Sequence, residues 1–150
     1  MIRPMVHEQL RYGKPSELDE SIFDHPFQWG SKRTGPDLAR VGGKYPDLWH
    51  FRHMRDPRDV IEQSLMPKYP WLLERKLDFS KLAKKVSVMS TLGVPYSDEM
   101  KQNSVAMAEA QAKMIAENLR SQGEASATED KEIIALIAYL QRLGKTKEAK

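Results

Sequence analysis

Apolar residues in this chain recur every three or four positions and nowhere alternate with period two over the length of a strand, so the pattern predicts helices alone. The strongest stripe lies near the C-terminus, where Ile133, Leu136, Ile137, Leu140 and Leu143 share one helical face. Thr128 or Ser126 stands ready as its N-cap, acidic residues fill the first turn and Gly144 supplies the stop, which predicts a helix over about 128–143. A second stripe, Val105, Ala108, Ala112, Ile115 and Leu119, predicts a helix of about 24 residues from Ser97 to near Gly123. Phe79, Leu82, Val86 and Met89 form a third, ended by Gly93 and Pro95, and the two neighbours should pack as a hairpin within about 74–123. Up to about residue 73 the texture differs. Pro, Gly, His and Trp break the periodicity, leaving short helices near 47–55 and 57–64, with Pro46 and Pro57 as first-turn prolines and Asp56 as an N-cap. The segment SLMPKYPWL then reads as a loop, and the terminal KTKEAK as a frayed, charged tail.

Composition narrows the possibilities. A chain of 150 residues suits one domain with one core. It has no cysteine, which excludes disulfides, zinc–thiolate sites, iron–sulfur clusters and a thiol nucleophile, and equally a covalent c-type haem tether within these residues. Net charge is +3, but the 24 basic residues are scattered among 21 acidic ones, so no nucleic-acid partner is expected. No apolar run approaches the roughly 20 residues a membrane span requires. The opening MIRPMVHEQLRYG lacks the apolar stretch of a secretory signal and reads as mature protein.

Local chemical motifs are few. His50 and His53 lie three apart, yet two imidazoles without cysteine or a HExxH pattern read as surface histidines. GPDLARVGG lacks the GxGxxG spacing of a nucleotide loop, and no nucleophile and base stand together, so no catalytic site is expected. Met66 differs from the helical methionines because it precedes Pro67 in a loop that also holds Pro70 and Trp71. A thioether on a proline-stiffened loop can be core filler or a soft ligand for haem iron.

The order of these features resembles a known arrangement. A GPDL turn, two short helices, Met-Pro in a loop and a C-terminal helix reading IIALIAYLQRLG follow the order of a class I cytochrome c domain after its haem-attachment helix. Residues 24–72, DHPFQWGSKRTGPDLARVGGKYPDLWHFRHMRDPRDVIEQSLMPKYPWL, resemble the monohaem cytochrome c subunit (subunit II, CcoO/FixO-like) of cbb3-type cytochrome c oxidases. The likeness continues through KLAKKVSVMSTLGVPYS and covers nearly the whole chain. It implies an all-α, class I cytochrome c-like domain carrying an inserted helical hairpin. It also implies Met66 as the iron ligand and Pro36 as the proline beside the haem on the histidine-ligand side. Trp29, Arg33 and Arg40 match the Trp- and Arg-rich region near the haem propionates, where an indole N–H or guanidinium donates to a carboxylate.

In that family a membrane-anchoring helix and a CxxCH motif come shortly before the Met-Ile-Arg-Pro that opens this chain. Neither is present, so the resemblance implies a domain truncated just after its haem-attachment motif, lacking both thioether tether and histidine ligand. The parent role it implies is electron transfer at the periplasmic face of the inner membrane. Haem c takes an electron from a c-type cytochrome subunit and passes it towards the catalytic haem-copper subunit. On this reading the chain has no catalytic site of its own and is a soluble fragment that cannot hold covalent haem and has little or no redox activity. The rival reading is a haem-free helical module that docks on a protein partner and uses Met66 only for packing.

Overall fold

The fold is all-α in a computed structural model that describes residues 2–18, 22, 38 and 40–145. Among these residues there is no strand, only a single backbone bridge between Lys76 and Lys131. The helices are α1 (Val6–Tyr12), α2 (Asp47–Arg55), α3 (Trp71–Glu74), α4 (Leu82–Thr91), α5 (Asp98–Ser121) and α6 (Glu132–Leu140), with 3-10 turns at Pro57–Asp59 and Phe79–Lys81. The chain forms two compact units, one from residues 45–139 and the other from residues 1–44 with 140–150.

The larger unit holds the main core. Phe51 of α2 packs with Ala112, Ile115, Ala116 and Leu119 of α5 and Ile133, Ile134 and Ile137 of α6. Each fully buried isoleucine contributes about 1.5–3 kcal/mol of transfer free energy. Ala112 and Ala116, lacking bulk, leave room for these neighbours on the inner stripe of α5. Helix α5 begins where the pattern places it, with the Ser97 hydroxyl accepting from the Met100 amide at 3.3 Å, and runs 24 residues. One departure is a kink at Asn103 (φ −110°, ψ 17°). The expected hairpin forms, since α4 lies against α5. Helix α4 buries no residue fully and turns only Leu82, Val86, Met89 and Ser90 part-way inward. Gly93, with φ +95°, takes the chain out of it.

Several boundaries differ from expectation. The helix expected over 57–64 is one 3-10 turn, capped as foreseen by Asp56, whose carboxylate accepts from the Arg58 amide at 3.1 Å. Continuing it would gain little, because Ile61 is 53 % exposed and Leu65 is 97 % exposed. Helix α6 starts at Glu132 rather than after Thr128. The Thr128 hydroxyl donates to Asp130 at 2.6 Å instead of capping, and the Leu77 amide donates to the Asp130 carbonyl at 2.7 Å. That strap holds residues 128–131 in a turn before the helix starts. Leu143 belongs to the turns after α6 rather than to the helix.

In the smaller unit, Ile2, Val41, Glu8 and Leu140 are buried. Ile2 and Ser16 exchange hydrogen bonds, the Ile2 amide donating to the Ser16 hydroxyl at 2.8 Å and the Ser16 amide to the Ile2 carbonyl at 2.9 Å. Glu8 of α1, 2 % exposed, is paired with Arg3. The Gly42 amide donates to the Leu143 carbonyl at 2.9 Å, and a Cβ on Gly42 would lie 2.5 Å from the Gln141 carbonyl oxygen. Only a glycine permits that approach.

Candidate functional site

Met66 lies where the pattern puts it, in the loop between the Pro57–Asp59 turn and α3. Its side chain is half-buried while its neighbour Leu65 faces solvent, so the loop turns the thioether inward and the leucine out. The Met66 amide donates to the Ser64 hydroxyl at 3.2 Å, and the following prolines Pro67 and Pro70 fix φ on the far side. Two ties hold the loop to the end of α2. The Tyr69 amide donates to the Met54 carbonyl at 3.1 Å, and Lys68 pairs with Asp56. That pair holds the Asp56 carboxyl below its ordinary value, the Lys68 hydrogen bond outweighing desolvation. Tyr69 meets Trp71 edge-on at 5.2 Å.

The C-terminal turn of α2 is itself anchored from across the sequence. Glu124, in the connection between α5 and α6, is 8 % exposed and accepts from Arg52 Nε at 2.9 Å and Arg55 Nη1 at 2.7 Å. Burial alone would raise its pKa, but the two guanidiniums outweigh burial and hold the carboxyl below the usual range. Arg55 also reaches Asp59 at 3.2 Å, so one cation joins α2 to the turn that leads to the Met66 loop. The anchored helix end and the Met66 loop therefore form one braced assembly.

Along α2 the aromatic residues are ordered. Tyr45, Trp49 and His53, spaced by four, form a column in which Tyr45 stacks on Trp49 at 4.1 Å and Trp49 on His53 at 4.5 Å. His50 meets Trp49 and Tyr45 edge-on at 5.3 and 6.0 Å. His50 is 2 % exposed, and neither its Nε2 nor the Nδ1 of His53 has a hydrogen-bond partner. Burial pushes both imidazoles below the ordinary histidine range, so they are neutral at pH 7; Asp47 opposes this at His50 without overcoming it. The surface assignment of these histidines is thus corrected. Their spacing was visible in the sequence, but only the packing of α2 shows that His50 Nε2 and His53 Nδ1 are enclosed.

The other expected site residues divide by location. Trp29, Arg33 and Pro36 lie outside the described residues. Arg40 belongs to the smaller unit, with φ +62°, its guanidinium beside Gly13 and its charge acting on Glu17. Among the described residues no three His, Asp or Glu side chains gather as a metal site, and no helix is long and apolar enough to cross a membrane.

The sequence matches a family model described as cytochrome c oxidase, mono-heme subunit/FixO over residues 1–147. No curated protein matches it.

Proposed function

Since the chain belongs to the FixO family of mono-haem subunits of cytochrome c oxidase, we propose that it is the electron-transfer domain of a cbb3-type oxidase, with Met66 supplying a thioether to haem iron. The observation that carries this reading is the Met66 loop: a thioether turned inward on a proline-bounded segment braced to α2 by Tyr69 and Lys68. Filler methionines need no such brace.

The described residues fit a haem in part. The unpartnered nitrogens of His50 and His53 are buried polar atoms in want of a partner, beside an aromatic wall suited to a flat macrocycle. Covalent attachment is a different matter, because no cysteine exists here to form a thioether bond to the porphyrin. When bound, the haem supplies one-electron redox chemistry, and no bond to substrate is made on this chain. The residues orient and tune it. Met66 presents a soft donor of the kind that raises the potential of haem iron, and the ties to α2 fix that donor before the iron arrives. The column of Tyr45, Trp49 and His53 excludes water. Pro36 is assigned to the histidine-ligand side, and Trp29, Arg33 and Arg40 to the propionates. Residues 1–150 are assigned to a cytochrome c-like domain, with α4 and α5 as its inserted hairpin. Its partners are the haem-copper subunit and a c-type cytochrome subunit, at the periplasmic face of the inner membrane.

Titrating the full chain with haem and following the visible spectrum tests the reading. A Soret band and a thioether-to-iron absorption that disappears in Met66→Ala are expected. An identical spectrum for wild type and Met66→Ala refutes it, and favours a haem-free module in which Met66 only packs.

A further inference from the structure

Two buried imidazole nitrogens without partners, on successive turns of one helix, are costly. Each has given up its bond to water without gaining another. We infer that His50 Nε2 and His53 Nδ1 are donors to the carboxylate groups of a bound haem, so that α2 forms the propionate-binding wall of the site. The inference rests on the haem reading above and goes beyond it, since that reading places the propionates against Trp29, Arg33 and Arg40.

Three features select a carboxylate. First, each ring is neutral in its buried setting and carries a single proton, which it can hold on the free nitrogen as an N–H donor. An anionic oxygen is the acceptor that returns most for such a donor. Second, the iron is the wrong partner. The Met66 loop is tied to the end of this same helix through Tyr69 and Met54 and through Lys68 and Asp56. Met66, on a loop braced to this helix, is the residue that would hold the iron, which leaves the α2 nitrogens for another group of the ligand. Third, no carboxylate among the described residues satisfies them. Asp47, the acid whose charge reaches His50, hydrogen-bonds Asn118 at 3.1 Å and leaves Nε2 unpartnered. Glu124 is engaged by Arg52 and Arg55. The stacked rings of Tyr45, Trp49 and His53 hold the His53 imidazole in place, and the edge contacts of His50 do the same for its ring. The donors are thus oriented before any ligand arrives.

The test compares haem with haem dimethyl ester, in which both carboxylates are blocked, as probes for the full chain. Dissociation constants come from the Soret band. Wild type should bind the free acid at least about tenfold more tightly than the ester, the least one charge-assisted hydrogen bond supplies. The pair of substitutions His50→Leu and His53→Leu should abolish that preference, whereas His50→Gln, which keeps an N–H donor, should retain part of it. Circular dichroism and thermal unfolding of each apo variant confirm that it folds. Equal binding of acid and ester by wild type overturns the inference. So does a folded Leu variant that keeps the wild-type preference, or one that loses axial-ligand absorption, which would make a histidine the iron ligand. In the first two cases the Met66-dependent spectrum survives and the electron-transfer reading stands. If neither probe binds, or if Met66→Ala leaves the haem spectrum unchanged, that reading fails and takes the inference with it.

Discussion

Replacing Glu124 by Gln isolates the charge that braces α2. Its carboxylate is almost wholly buried and accepts two charged hydrogen bonds, at 2.9 and 2.7 Å. The amide keeps the shape and one acceptor oxygen but loses the negative charge. A hydrogen bond involving a charged group is worth about 1.5–3 kcal/mol, against about 1 kcal/mol for a neutral one. Two such differences would reach several kcal/mol, but the arginine side chains are 45 % and 37 % exposed, so water and salt screen much of the gain. The expected loss is therefore about 1–2 kcal/mol at pH 7, or roughly 3–6 °C in Tm for a chain of this length. Urea unfolding at a series of pH values supplies the control. Glu124 sits below its ordinary pKa of 4.5 when folded, so its contribution is complete above that value and is lost as pH falls through the folded pKa. Wild type and Glu124→Gln should then converge as pH falls through the folded pKa. Equal stabilities at pH 7, or a gap that does not shrink as the solution is acidified, would show that the arginine pair does not hold α2 through charge.

Other perturbations test separate parts. Ile137→Ala, at a position 0 % exposed in the α5–α6 core, should cost about 2–5 kcal/mol in urea unfolding. A loss below 1 kcal/mol would mean that the site collapses. Gly144→Ala places a Cβ 2.1 Å from the Arg40 Cα at φ +70°, so it should destabilise the smaller unit by more than about 1 kcal/mol. Hydrogen exchange should show faster opening of the Gly42 and Gly43 amides and unchanged protection in α5. Burial lowers the pKa of His50 and His53, so the unfolded state takes up protons first as pH drops below 6.5. Stability of the apo chain should fall between pH 7 and pH 5, and His50→Gln should flatten part of that slope; an unaltered slope assigns it to other groups.

The helical character, the long α5, the α4–α5 hairpin and the Met66 loop were legible along the chain, because each follows from local rules. Apolar spacing marks a buried stripe, Ser97 and Asp56 are caps, and Pro67 and Pro70 interrupt a helix wherever they occur. The likeness to the monohaem oxidase subunit rested on a long segment dense in Trp, Pro and Gly, which is specific without knowledge of packing. Other features were settled by tertiary contacts. Helix α1 is hidden from periodicity because its inward residue is an acid, Glu8, paired with Arg3, while Val6 and Leu10 are 74 % and 84 % exposed. The late start of α6 follows from the strap between Leu77 and Asp130, which are far apart in the chain. The brace at Glu124 joins residues 69 and 72 positions apart, a pairing that no local pattern announces. His50 and His53 show the same division: their spacing is written in the chain, but whether an imidazole meets water or is enclosed depends on what packs around α2. Burial and long-range pairing are properties of the assembled helices, and they enclose one nitrogen each of two histidines that the pattern had placed at the surface.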